Sequence, residues 1–284
     1  MPAVLVEDTS IPDCTASVDK IGASPQMDHE LDFTGKTILV TGSGRNIGRA
    51  IILEFAGRGA NVIINARSNR AEAEAVELEA RALGAKTLIV MGEAADLDVV
   101  SEIQRRAESV FGRVDIYVSN AARRPFKDFW ETTNDDWHEY LNQQLTASWY
   151  LAKAFAPSMR DAGYGRIIHM NGPDGYRGGW TRAPHSSAKG ALRTLTKSLA
   201  AGLGRYGITV NDINPGYTET IRDPSTHPFL VSDEDRQQTI ARIPIGRGTK
   251  PEEVAFACVF LCSAPAMCIN GSILHLDGGM SMLG

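Results

Sequence analysis

Four cysteines in 284 residues are too few for a disulfide framework at this size. Cys258 and Cys262 stand one helical turn apart in an apolar segment, with Cys268 shortly after. No histidine cluster accompanies them, so buried thiols are expected rather than a metal pair, in a reducing, cytoplasmic setting. His138, His169, His227 and His275 have no ligand spacing either, and no metal is expected. Apolar runs long enough to span a bilayer, about 18 residues, are missing, so no transmembrane helix is expected. Positive charge is also short. With 29 Lys+Arg against 34 Asp+Glu the net charge is −5, and no basic stripe relieves it, which argues against nucleic acid as a partner. Internal repeats and low-complexity tracts are absent.

What is present divides unevenly. Residues 1–31 are polar and turn-prone, and their only apolar run, Ala3 to Val6, is too short for a secretory signal and lacks a positive flank. A flexible or subunit-draping arm is expected there, and residues 32–284 form the domain. With 43% hydrophobic content this stretch can bury a large core.

The most informative segment is Leu39-Val40-Thr41-Gly42-Ser43-Gly44-Arg45-Asn46-Ile47-Gly48-Arg49. An apolar strand enters a glycine-rich turn and a helix opens behind it, an arrangement whose backbone N–H groups hold a pyrophosphate. Gly42, Ser43, Arg45, Asn46, Ile47 and Gly48 are therefore candidate cofactor contacts. Asn46 occupies a turn position where glycine is expected, and asparagine tolerates positive φ. Strands near 37–40, 61–65, 87–91, 116–119, 166–170, 209–213 and 272–276 alternate with helices over 47–58, 70–83, 99–111, 135–162, 183–206 and 251–262. This alternation predicts an α/β fold, a single Rossmann-type doubly wound parallel sheet with helices on both faces.

The second strand ends in Asn65-Ala66-Arg67-Ser68. No carboxylate follows it to bind a ribose 2′-OH, whereas Arg67, with Arg45 from the turn, offers guanidinium groups to a 2′-phosphate. Ala66, Arg67 and Ser68 join the candidate cofactor set, and NADP(H) is expected over NAD(H).

From about Asp32 to Gly284 the chain resembles the short-chain dehydrogenase/reductase family. "TGSGRNIG" at 41–48 is similar to its cofactor turn and "SNAA" at 119–122 to its fourth-strand motif, with Asn120 and Ala121. "NPGYTET" at 214–220 resembles the segment lying against the nicotinamide, and "PEEVAFACVFLCS" and "INGSILHLDGG" resemble the closing helix and strand. The resemblance implies that Asp96 contacts adenine, that Pro215, Gly216, Thr218 and Thr220 meet the cofactor, and that the protein is a homotetramer or homodimer.

The active centre departs from the family pattern of asparagine, serine and Tyr-x-x-x-Lys. The aligned segment "APHSSAKGAL" puts His185 in the tyrosine position and keeps Lys189, while the serine position falls on Gly172 and the asparagine position on Gln144. His185 and Lys189 are one helical turn apart on the same side of their helix. In the family the lysine holds the nicotinamide ribose. Histidine titrates near neutrality unaided, and a nearby lysine favours its neutral form. Asn171 is a candidate amide donor in place of the serine hydroxyl. Tyr176 is a candidate displaced acid, with a plain flexible loop as the alternative.

Arg123, Arg124, Arg177, Arg182 and Arg222, with Trp130, Trp180 and Phe229, are expected around the substrate mouth, and residues 217–240 as a lid. The arginines fit either an anionic small-molecule substrate or surface ion pairs. Three functions compete: NADP(H)-dependent carbonyl/alcohol hydride transfer with His185 as proton partner, reduction of a conjugated C=C or C=N bond, and non-catalytic NADPH binding.

Overall fold

The computed structural model describes residues 30–123, 126–221 and 232–282, with every side chain among them except that of Trp180. The arm up to residue 29, Arg124, Arg222, His227, Phe229 and residues 222–231 of the expected lid lie outside the described residues.

Seven short apolar runs make the strands β1 (Thr37–Thr41), β2 (Asn61–Ala66), β3 (Thr87–Met91), β4 (Ile116–Ser119), β5 (Gly165–Met170), β6 (Ile208–Pro215) and β7 (Ile273–Leu276). They form one sheet in the order β3-β2-β1-β4-β5-β6-β7, every pair parallel. Alternate side chains of a strand face opposite sides, and both sides here are covered. Ile38, Val40, Val62 and Ile64 pack under α1 (Asn46–Ala56), α2 (Arg70–Ala82) and the late helix Pro251–Cys262. Leu39 and Ile63 point the other way, to α3 (Leu97–Phe111) and two later helices. The expected doubly wound sheet is what forms.

The helix expected over 135–162 is instead two, α4 (Asn134–Leu141) and α5 (Ala147–Asp161), joined by a π-helical turn at Asn142–Thr146. After β5 come a single helical turn, α6 (Asp174–Arg177), and the long α7 (Ala183–Leu203). An additional helix, α8 (Asp233–Ile240), lies inside the expected lid. It buries none of its residues, so no apolar period marks it in the sequence. Its signal is a cap, with the Ser232 side chain accepting from Asp235 N–H. Pro251–Cys262 is α9, and burial holds the Cys258 and Cys262 thiols protonated, the latter pushed up to about 12. Among the described residues no helix is long and apolar enough to cross a membrane.

The strand order reverses between β1 and β4, which opens a crevice at their carboxyl ends. The loops that follow β1, β2, β4, β5 and β6 all converge on it.

Candidate active site

That crevice is a cavity of about 940 Å³. Its floor at one end is the glycine turn. A Cβ on Gly48 would lie 2.4 Å from the Gly42 carbonyl oxygen and 2.9 Å from Asn120 Nδ2, so only glycine allows α1 to start this close to β1. Asn46 has φ +52°, the one non-glycine residue with positive φ among those described, as its place in the turn predicts. No side chain caps α1 and its first turn holds no acid, so its N-terminal donors and positive dipole end are left to the cavity. Those features fit the pyrophosphate of a dinucleotide. Asn120 locks the neighbouring loop, donating from Nδ2 to the carbonyls of Thr41 (2.9 Å) and Gly42 (3.1 Å).

Of the candidate cofactor residues, Gly42, Arg45, Asn46, Ile47, Gly48, Ala66, Arg67, Ser68, Asn120, Ala121, Lys189, Pro215, Gly216, Thr218 and Thr220 all line the cavity. Two expected contacts do not. Ser43 is fully buried and exchanges hydrogen bonds with the Asn65 backbone, tying turn to strand. Asp96 is exposed and caps α3 by accepting from Asp98 N–H; Glu93, directly after β3, lines the cavity in its stead. Glu72 is there too, so the β2 end does meet carboxylates, brought from α2 and β3 rather than from β2 itself. Arg45 lies 3.7 Å from Glu72 and Arg67 4.0 Å from Glu93.

At the other end, His185 and Lys189 are buried side by side in the first turns of α7 and both line the cavity. Lys189 Nζ donates to the Met170 carbonyl at 2.6 Å. His185 Nε2 is 3.5 Å from Asp174 Oδ2, and that oxygen accepts from Arg182 Nη1 at 2.7 Å. Gly172 presents only backbone. Asn171 lines the cavity, but its amide is committed: Nδ2 donates to Asp212 Oδ2 (2.6 Å) and the Lys189 carbonyl (3.1 Å), while Oδ1 accepts from Gly172 N–H. It therefore has no amide donor left for a bound substrate. Asp212 itself is buried in β6, and burial pushes its carboxyl up to about 7 against the pull of Asn171, Lys189 and Arg193.

Gln144 and Tyr176 are corrected by the same geometry. The π-helical turn carries an extra residue, which rotates the following face. Gln144 consequently sits outside the cavity with Nε2 donating to the Arg123 carbonyl (3.2 Å), and Gln143 lines the cavity. Tyr176 is two residues beyond Asp174 in one helical turn, so it points to the opposite side. Its hydroxyl pairs with His275 Nε2 at 3.0 Å and its ring lies under Arg193, away from the cavity.

The family profile described as enoyl-(acyl carrier protein) reductase matches residues 42–281. The chain belongs to the short-chain dehydrogenase/reductase family. It is 34% identical over 247 residues to L-rhamnose 1-dehydrogenase (NAD(P)(+)) of Sphingomonas sp. (strain SKA58), covering 87% of this chain and 96% of that one. It is 36% identical over 253 residues to 3-oxoacyl-(acyl-carrier-protein) reductase of Escherichia coli (strain K12), covering 89% and 100%. A gluconate 5-dehydrogenase structure from Burkholderia cenocepacia J2315, in complex with NADP and tartrate, superposes with TM-score 0.83 at 30% identity, covering 91% and 100%. Short-chain dehydrogenase/reductases of this kind are NAD(P)-dependent oxidoreductases, which the dinucleotide cradle of this chain fits.

Within this short-chain dehydrogenase/reductase the arginines of the mouth differ from one another. Arg123 is paired with Glu139 (2.7 Å) and Arg182 with Asp174, whereas Arg177 donates to the Met280 carbonyl (2.8 Å). Trp130 is exposed and outside the cavity, and Phe126 lines it. Sequence reasoning passed over Glu72, Glu93, Gln143 and Asp212. The signal for Asp212 was there: a carboxylate in the middle of the apolar strand segment "ITVNDINP".

Proposed function

We propose that the protein is an NADP(H)-dependent oxidoreductase that moves hydride between the nicotinamide and a carbonyl/alcohol substrate, with His185 as the proton partner. One observation carries the reading: the α1 N-terminus and glycine turn share a single cavity with buried His185 and Lys189. The bound dinucleotide supplies or accepts the hydride. The chain does the rest. Lys189, fixed on the Met170 carbonyl, is the residue to hold the ribose hydroxyls. His185 gives its proton to the substrate oxygen as the carbonyl carbon is reduced, and takes it back in oxidation.

Arg45 and Arg67 support the phosphorylated cofactor. Their pairings with Glu72 and Glu93 are long and partly exposed, worth at most about 1 kcal/mol each. A charge-assisted arginine–phosphate contact is stronger and displaces them. Arg177, bonded to a backbone carbonyl, supports an anionic substrate, and the tartrate held by the Burkholderia cenocepacia relative is a carboxylate. Reduction of a conjugated C=C bond is the second reading. It is favoured by the absence of a hydroxyl at Gly172, because conjugation activates the substrate by itself. A homotetramer or homodimer built on α4, α5 and α7 fits the part-exposed Trp137 and Trp149, and sedimentation tests it.

The experiment is a fluorescence titration with NADPH and NADH, followed by ketone, sugar-acid, enone and imine panels across the neutral range. Tighter binding of NADPH, lost in Arg67→Ala, and turnover on carbonyls are expected. Tight binding without turnover on any panel favours a non-catalytic NADPH-binding protein.

A further inference from the structure

We propose that Asp174 is a positioning residue for His185: its carboxylate holds the imidazole as the protonated acid and keeps Nε2 turned to the substrate oxygen. The inference rests on His185 as proton partner and adds a residue outside the asparagine, serine and Tyr-x-x-x-Lys pattern.

His185 is the third residue of α7, a 21-residue helix whose N-terminal N–H groups disfavour a cation there. Lys189, one turn further on, disfavours it as well. Driven by these two alone, the ring would be neutral and would have no proton to give in reduction. Asp174 is the carboxylate that opposes both. It starts α6, which packs on α7, and its Oδ2 lies 3.5 Å from His185 Nε2. His185 Nδ1 is sealed from solvent, which leaves Nε2 as the nitrogen to serve a substrate in the cavity that both residues line. At 3.5 Å the contact leaves room for a substrate oxygen to share the Nε2 proton, where a tight hydrogen bond would withhold it. Arg182 fixes the same Asp174 oxygen at 2.7 Å, itself resting on the Phe126 ring, and takes part of its charge.

Arg177 of α6 is bonded to the Met280 carbonyl, and the charged groups that α4 and the sheet bring towards α7 are engaged elsewhere. From α4, Asp136 is paired with Lys127 and Glu139 with Arg123, while burial keeps Tyr140 un-ionised. From the sheet, His169 is held neutral by burial against Thr196, and Asp212 is bound to Asn171. In reduction, hydride adds to the carbonyl carbon and the C=O π pair moves to oxygen. That oxygen takes the Nε2 proton, leaving neutral imidazole to be reprotonated from water. In oxidation Asp174 stabilises the imidazolium as it forms.

The test is NMR titration of the full chain, labelled with 13C at histidine Cε1 and saturated with NADP+, with the His185 resonance identified by its loss in His185→Tyr. Asp174→Asn keeps an acceptor for Arg182 and should lower the His185 midpoint by about one pH unit or more, a tenfold or greater loss of proton affinity. Arg182→Gln should raise it. An unchanged midpoint in Asp174→Asn, or a shift of the same sign in both variants, overturns the proposal, since a packing role moves neither in opposite directions. Should Asp174→Asn not fold, a midpoint that fails to rise in Arg182→Gln overturns it alone. Full turnover by His185→Ala would instead overturn the hydride-transfer reading, which the titration does not address.

Discussion

At the scale of single residues, Gly172 brings a stretch of bare backbone to the cavity wall. A Cβ placed there meets no heavy atom within 4 Å, so a serine fits without displacing a neighbour. Gly172→Ser should return a hydroxyl donor to the cavity and raise kcat/KM on simple ketones by about tenfold or more, read by NADPH oxidation. That Gly172, His185 and Lys189 line one cavity was legible because the lysine four residues on, and the fixed spacing back from it, anchor the count. Asn46 was legible for a local reason, its tolerance of positive φ. Asp96 was misread because counting along a polar loop does not say which carboxylate turns inward. Glu93 follows the strand end directly and enters the cavity, while Asp96 is taken by a helix cap. Gln144 was misread because a π-helical turn leaves no clear trace in composition.

Among elements, the contact between the glycine turn and the segment after β6 is one that periodicity does not reveal. Asn46 Nδ2 donates to the Ile221 carbonyl and Asn46 Oδ1 accepts from Ile221 N–H, both at 3.0 Å, clasping the two walls of the cavity together. Asn46→Gly keeps the positive φ and removes both bonds. With each worth about 1 kcal/mol at most in so exposed a place, NADPH should leave up to about thirtyfold faster, measured by stopped-flow displacement. The strands and most helices were readable to within a residue or two, since buried parallel strands are continuous apolar runs. The break between α4 and α5 and the polar helix α8 were not, because neither alters the apolar pattern.

For the whole molecule, the sheet puts the site at its reversal point and also buries a carboxylate beneath it. Asp212 has an ordinary value of 3.8 and is pushed up to about 7. Between these values the unfolded chain releases a proton that the folded chain keeps. Stability from this group therefore falls as pH rises through the window and levels off above about 7. Asp212→Asn retains an acceptor for Asn171. It should leave Tm nearly unchanged near about pH 4 and raise it by several degrees near about pH 8, a gain on the order of a few kcal/mol. Calorimetry at the two pH values reads it, and equal shifts at both would rule out a titrating Asp212. Fold and glycine turn were readable because strand–turn–helix spacing is local in sequence. The Asn171–Asp212 and His185–Asp174 pairs were not, since they join residues through packing of different elements.

The claim on which the rest depends is that buried His185 exchanges the proton that accompanies hydride transfer. Single-turnover oxidation of NADPH on the best carbonyl of the panel, by the wild type and by His185→Ala at matched cofactor saturation, tests it most directly. The rate should fall by about 10²- to 10⁴-fold in the variant while NADPH affinity stays nearly the same. An undiminished rate in His185→Ala would contradict the account.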